Sequence, residues 1–242
     1  MKKLTLIIAM LFLLMQAGAQ GKIIDSLAIL ILDRMSDVIG DLKSVSFKVN
    51  SEYDSIDHDL GFLKHHNQSE MYFSGADKML VITTGEKGHR GMWYNGKQLA
   101  YYSFTNNHYG FMEAPPGNTI EAIDKVHDQY GVDIPASDFF YPTFTDDLIA
   151  HSDRIEYLGK TDLDGTDCFH IASRNKEMGI QLWIRDDAFN LPAKMVIVTF
   201  GNNPRQFEAS YYDWKVNADI PDTIFDFVVP PTATRLTIMP AK

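Results

Sequence analysis

The stretch Ser44-Val45-Ser46-Phe47-Lys48-Val49-Asn50-Ser51-Glu52-Tyr53 decides the fold. Val45, Phe47, Val49, Ser51 and Tyr53 alternate with Ser46, Lys48, Asn50 and Glu52, the period of two that a strand buried on one face requires. Downstream, Phe62–Phe73, Met79–Thr84, Arg90–Tyr94, Gln98–Phe104 and Tyr109–Glu113 read as further strands. Gly75-Ala76-Asp77, Gly85-Glu86-Lys87-Gly88 and Asn95-Gly96 separate them, and Asn-Gly is a hairpin signal. Connections this short predict an antiparallel meander.

The period changes on both sides of this run. Upstream, Asp25 or Ser26 caps a helix reaching about Leu42, with Leu27, Ile31, Met35, Val38 and Leu42 as its apolar stripe. After Ala114-Pro115-Pro116-Gly117, Asn118 caps a second helix through Ile120, Ile123, Val126 and Tyr130, and Gly131 ends it. Asp133 to Ala150 reads as short helical turns. Strands resume at Arg154–Leu158, Thr166–Ser173, Ile180–Arg185, Ala193–Phe200 and Phe207–Lys215, and the proline-rich tail reads as turns and extended segments. The fold class is mainly β (α+β): a single curved antiparallel sheet forming a half-barrel around the N-terminal helix and the central helical insertion. A sheet this large curls, and the helices are the material available for its concave side. No linker composition interrupts residues 20–242, so they read as one domain.

The first nineteen residues stand apart. Lys2 and Lys3 precede an apolar run from Leu4 to Met15, and Ala17-Gly18-Ala19 supplies the small side chains of a cleavage site. Residues 1–19 read as a secretory signal with Gln20 as the new N-terminus. No cysteine lies at the processing site, which predicts a periplasmic protein without an N-terminal lipid. No later apolar run reaches membrane-spanning length.

Composition narrows the function classes. The chain of 242 residues has a formal charge of −10, which becomes more negative once Lys2 and Lys3 are removed. An acidic chain lacks the electrostatic footprint of a nucleic-acid binder. Cys168 is the only cysteine, so no intramolecular disulfide forms and the core rests on burial.

Several short motifs recur in order. Trp93-Tyr94-Asn95-Gly96-Lys97-Gln98-Leu99 is followed by Asn107-His108-Tyr109 and Glu113-Ala114-Pro115, then by Tyr130-Gly131-Val132-Asp133-Ile134-Pro135-Ala136. Tyr157-Leu158-Gly159, Cys168-Phe169-His170, Gln181-Leu182-Trp183-Ile184 and Leu191-Pro192-Ala193-Lys194 complete the series. Together they resemble the predicted periplasmic proteins of domain-of-unknown-function family 2092. The resemblance implies a fold like the LolA/LolB lipoprotein carriers, a half-barrel wrapped around helices with an apolar cavity between. It carries no catalytic residues and no lipoprotein-transfer activity.

No chemical motif competes strongly with a binding role. His65 and His66 are adjacent on a strand and point to opposite faces, which disfavours a shared metal. Asp162-Leu163-Asp164-Gly165 reads as a turn, and no Gly-x-Ser-x-Gly elbow occurs. Cys168 and His170 share one face of a strand, but a strand-interior thiol is expected to be buried and inert. No metal and no cofactor are expected, and no catalytic residue is assigned.

Assigning the more apolar face of each strand inward puts Phe47, Val49, Tyr53, Leu182, Ile184, Phe207 and Tyr211 on the concave side as candidate ligand-binding residues. The expected partner is a lipid or lipoprotein acyl chain, with the N-terminal helix helping to cover it. Alternation predicts a buried face and leaves open whether a cavity lies beside it. Two other classes stay open: an envelope structural or regulatory protein with a solid core, and a hydrolase. Oligomeric state is not legible.

Overall fold

The computed structural model describes residues 21–115, 117–134 and 136–240; the signal segment Met1–Ala19 lies outside them. No helix among the described residues is long and apolar enough to cross a membrane. The strands are β1 (Ile23–Ile24), β2 (Ser44–Asp57), β3 (Gly61–Ser74), β4 (Lys78–Gly85), β5 (Gly88–Tyr94), β6 (Leu99–Ser103) and β7 (His108–Met112). After the helical insertion come β8 (Arg154–Leu163), β9 (Thr166–Arg174), β10 (Met178–Arg185), β11 (Pro192–Thr199), β12 (Arg205–Val216) and β13 (Thr234–Arg235). The helices are α1 (Ser26–Gly40), α2 (Thr119–Tyr130) and α3 (Phe144–His151).

All thirteen strands form one open sheet in the order β1-β8-β9-β10-β11-β12-β2-β3-β4-β5-β6-β7-β13. Two meanders, β8–β12 and β2–β7, are joined where β12 pairs antiparallel with β2, aligning Phe207 with Tyr53 and Tyr211 with Val49. The expected curved antiparallel sheet is present, with one departure. The outermost pairs, β1 with β8 and β13 with β7, are parallel. Both are two-residue strands lent by chain segments outside the meanders, and they cover edges that would otherwise expose unpaired backbone groups.

Local chemistry explains most boundaries. The Asp25 carboxylate accepts from Leu27 N at 2.8 Å and caps α1. Asn118 Oδ1 does the same for Ile120 N and Glu121 N of α2, and Gly131 closes that helix in the left-handed conformation at φ 63°. β8 runs beyond the expected end at Leu158. Gly159, at φ 107°, does not stop the strand but forms a bulge opposite β9, and pairing continues to Leu163.

The concave side is divided in two. It is filled over β8–β10 and along the end of the sheet that carries Val45, Phe47, Phe73, Met79, Tyr94 and Leu99. There α1 buries Ala28, Ile31, Leu32, Met35 and Ile39 against Val45, Phe47, Leu182 and Ile184, while the 3-10 turn Ser137–Phe140 and α3 pack beside it. Each such side chain removed from water contributes ~1.5–3 kcal/mol. The buried stripe is rotated from the expected one: Leu27 is 45% exposed and Leu32 and Ile39 are buried instead. α1 meets filler on two sides, the sheet and α3, so its apolar face is wider than a single three-four repeat describes.

The tail after β12 is a strap. Phe225 is buried, and Phe227 packs against Trp93, Tyr102, Tyr109 and Phe111 on the convex side. The chain then rounds the edge as β13, where Thr234 N donates to Asn107 O and Leu236 N to Tyr109 O. Ile238 and Met239 return to the concave side.

Candidate ligand-binding cavity

Toward the other end of the sheet, from Met195, Ile197 and Phe207 of β11 and β12 across to Val81, Met92 and Tyr101 of β4–β6, the concave side is hollow. Strand register stacks inward side chains in rows across neighbouring strands. One row is Phe73, Met79, Tyr94, Leu99 and Met112; the next is Met71, Val81, Met92 and Tyr101. A third is Ser69, Thr83, Arg90 and Ser103. Val81, Met92 and Tyr101 of the second row and Ser69, Thr83 and Arg90 of the third, with Met112 of the first, line a cavity of about 920 Å³. Its floor includes Val81, Met92 and Met112, with Met195, Ile197 and Phe207 on the side toward β11 and β12. Its roof is α2, through Ile123, Asp124, His127 and Tyr130, and the segment that follows. Lys87, Val132, Asp133 and Met239 are both wall residues and solvent-exposed, so they mark the openings.

The residues named from alternation all lie on the concave face, but the structure separates them. Tyr53 and Phe207 stand on the cavity wall as cross-strand neighbours. Phe47 is buried in a stack with Trp214, ring centroids 4.1 Å apart, and Tyr211 packs edge-on against Phe139 at 5.3 Å. Val49, Leu182 and Ile184 are buried in the same filled half and are not on the wall. Alternation fixes the face of a side chain; which part of that face the helices fill is a tertiary matter.

The covering element is also corrected. α1 contributes no residue to the cavity wall; α2 does. The stripe of α1 is satisfied by solid packing. Arg90, Met92, Met195 and Ile197 were missed by the sequence reading. The two-residue turn Glu86-Lys87 between Gly85 and Gly88 would have located the first two, since it sets Thr83 opposite Arg90 and Val81 opposite Met92.

Polar groups concentrate at two places. Arg90 Nη1 is buried without a hydrogen-bond partner among the described residues, and Lys87 lies on the same wall. Across the cavity, Asp124 accepts from Tyr141 Oη, and Asp133 is bonded to His127 Nδ1 at 2.7 Å. The Asp138 carboxyl is held above its ordinary pKa, first by desolvation and then by repulsion from Asp133. Tyr211 Oη is buried without a partner among the described residues, and desolvation pushes its pKa far up.

Two further constellations bear on chemistry. Beside Tyr53, Ser55 Oγ is 2.7 Å from His65 Nε2, and His65 Nδ1 bonds the Glu86 carboxylate. His65 also stacks on Tyr53, ring centroids 5.0 Å apart. The bond from His65 lowers the Glu86 pKa, as an acceptor paired with an imidazole requires. This trio ties the β2–β3 hairpin to the β4–β5 turn. Cys168 is fully buried, and desolvation pushes its thiol up to about 11. His170 bonds Gln181 Oε1 at 3.0 Å and stacks on Trp183. The thiol is buried, and the imidazole is taken up by Gln181 and Trp183.

Solved structures with a similar course of the chain include three bacterial proteins. The lipoprotein LppX of Mycobacterium tuberculosis is 11% identical, at a TM-score of 0.48, over 81% of this chain and 98% of that one. LprF from Mycobacterium bovis is 11% identical at 0.47, over 88% and 100%. A LolA superfamily protein from Nitrosomonas europaea is 12% identical at 0.35, over 83% and 97%. The likeness is one of chain arrangement alone. No curated protein matches the sequence. The family resemblance seen in the sequence motifs is upheld by a model that matches residues 28–239, and the chain belongs to that family, described as "Predicted periplasmic protein (DUF2092)".

Proposed function

We propose that this protein is a non-enzymatic binder of a lipid or other acyl-chain ligand, held in the cavity between β3–β7 and α2. The observation that carries the reading is a hollow of about 920 Å³ lined by Val81, Met92, Met112, Met195 and Ile197 beside the packed core under α1. That size is near the upper end for small-molecule sites, and apolar walls with few polar groups are their usual composition. In an aqueous compartment such a surface gains by taking up hydrocarbon, at ~0.8 kcal/mol for each buried CH2. The family's description favours the periplasm, and the Met1–Ala19 segment would direct export without lipidation. In the mature chain, residues 20–242 act as one binding unit.

The test is a titration of delipidated protein with a fatty acid bearing an environment-sensitive fluorophore. Wild type is expected to saturate with a blue shift, and Ile197→Asp to lose most uptake while still unfolding cooperatively. Ile197 is half-buried on the wall, where a carboxylate keeps access to water in the empty cavity but not beside a hydrocarbon chain. Wild type without uptake refutes the proposal.

A further inference from the structure

The concave floor turns polar beyond its apolar rows, first in one band and then at Ser51 and Asn67. Ser69, Thr83, Arg90 and Ser103 align across β3–β6, flanked by the apolar row Met71, Val81, Met92 and Tyr101. Ser69 Oγ and Thr83 Oγ1 are buried and 2.9 Å apart, and both residues line the cavity. Next to them Arg90 lines the cavity, and its Nη1 is shielded from water and without a partner among the described residues. A buried donor on a charged group is costly to leave unmatched, so this is where an acceptor from outside the chain gains most.

The carboxylates of the opposite wall are already engaged. Asp124 accepts from Tyr141, and Asp133 is bonded to His127. Desolvation raises the Asp138 pKa, which favours its neutral form. Lys87, on the wall near the opening, adds a second cation on the side of Arg90.

We infer that Arg90, assisted by Lys87, anchors the anionic head group of the bound amphiphile, a carboxylate or a phosphate, while the chain lies over the apolar rows. This rests on the apolar-ligand reading above. A guanidinium presents paired N–H donors that match two oxygens of either head group, and such charge-assisted bonds are stronger inside a dry cavity than in water. The Thr83 and Ser69 hydroxyls bond each other, which leaves one of their two protons to donate further. The ligand class is therefore an acid with a hydrocarbon tail, rather than a neutral lipid.

The experiment is displacement of a neutral-headed fluorescent probe from delipidated protein at pH 8. The competitors are a fatty acid, an alkyl phosphate and a fatty alcohol of one chain length, with inorganic phosphate as the chainless control. The acid and the alkyl phosphate are expected to displace the probe at roughly tenfold lower concentration than the alcohol, the scale of one charge-assisted bond. Inorganic phosphate alone should not displace it. Arg90→Gln should bring acid and alcohol within about twofold, and Arg90→Lys should keep part of the preference. The Arg90→Gln protein should melt close to wild type, because Arg90 Nη1 makes no hydrogen bond among the described residues that the change could break. Equal displacement by acid and alcohol in wild type overturns the inference, as does a preference that survives Arg90→Gln. Displacement by inorganic phosphate overturns the requirement for a chain. A probe that never binds overturns the cavity reading itself, which separates the two claims.

Discussion

Truncating one side chain in each half of the concave face reads out whether that half is filled. Leu182 is 1% exposed and surrounded by the core under α1. Leu182→Ala removes three carbons from a closed site that can collapse only in part, so the expected loss is ~3 kcal/mol, within the 2–5 kcal/mol such changes produce. Ile197 has comparable chemistry but faces the hollow. Its truncation enlarges a space already present, so the cavity contribution disappears and only lost transfer energy remains, ~1 kcal/mol for a half-buried side chain. The assay is urea unfolding of delipidated variants, since a bound ligand would add its own stabilisation. The midpoints of the two variants should differ by about 1 M urea for a gap of this size. Equal losses, or a loss above ~2 kcal/mol for Ile197→Ala, would mean that the space is closed in solution and would refute the division of the face.

Three other expectations follow from particular groups. Cys168 has a folded pKa raised from 9.0 to about 11, so its contribution is complete below pH 9 and is lost as pH rises toward 11. Wild type should lose ~2 kcal/mol more than Cys168→Ala across that window in unfolding experiments, and an identical slope in both proteins would contradict it. Gly110 lets the strap approach: a Cβ there would sit 2.6 Å from Ile238 Cγ1 and 3.2 Å from Leu236 O. Gly110→Ala should loosen the tail and speed tryptic cleavage after Arg235, whereas an unchanged cleavage rate would show that the strap is not held there. Ser55, although bonded to His65, is expected to resist a fluorophosphonate reagent; rapid covalent labelling lost in Ser55→Ala would point to a hydrolase instead of a binder.

Much of the fold was legible because strand alternation and turn chemistry are local. Val45 to Tyr53, the Asn95-Gly96 turn and the Asn118 cap with Gly131 each carry their own physical signal. What escaped was non-local. The pairing of β12 with β2 brings Phe207 beside Tyr53 over a long sequence separation, and the edge strands β1 and β13 are too short to show a period. The binding face was legible and the site was only partly so. Phe47 and Tyr53 obey the same alternation on one strand, yet Phe140 and Trp214 fill the space over the first, while the second borders the cavity. Arg90 reads as an ordinary exposed charge until register sets it opposite Thr83.

The central claim is that the hollow beside Met92 and Ile197 holds an amphiphile, and native mass spectrometry of the protein released from its own periplasm tests it most directly. The account predicts a mature chain starting at Gln20, carrying a noncovalent adduct of lipid mass that organic extraction removes and that a fatty acid restores at one-to-one stoichiometry. A chain that carries no adduct, and that takes up neither fatty acid nor alkyl phosphate after extraction, would contradict it.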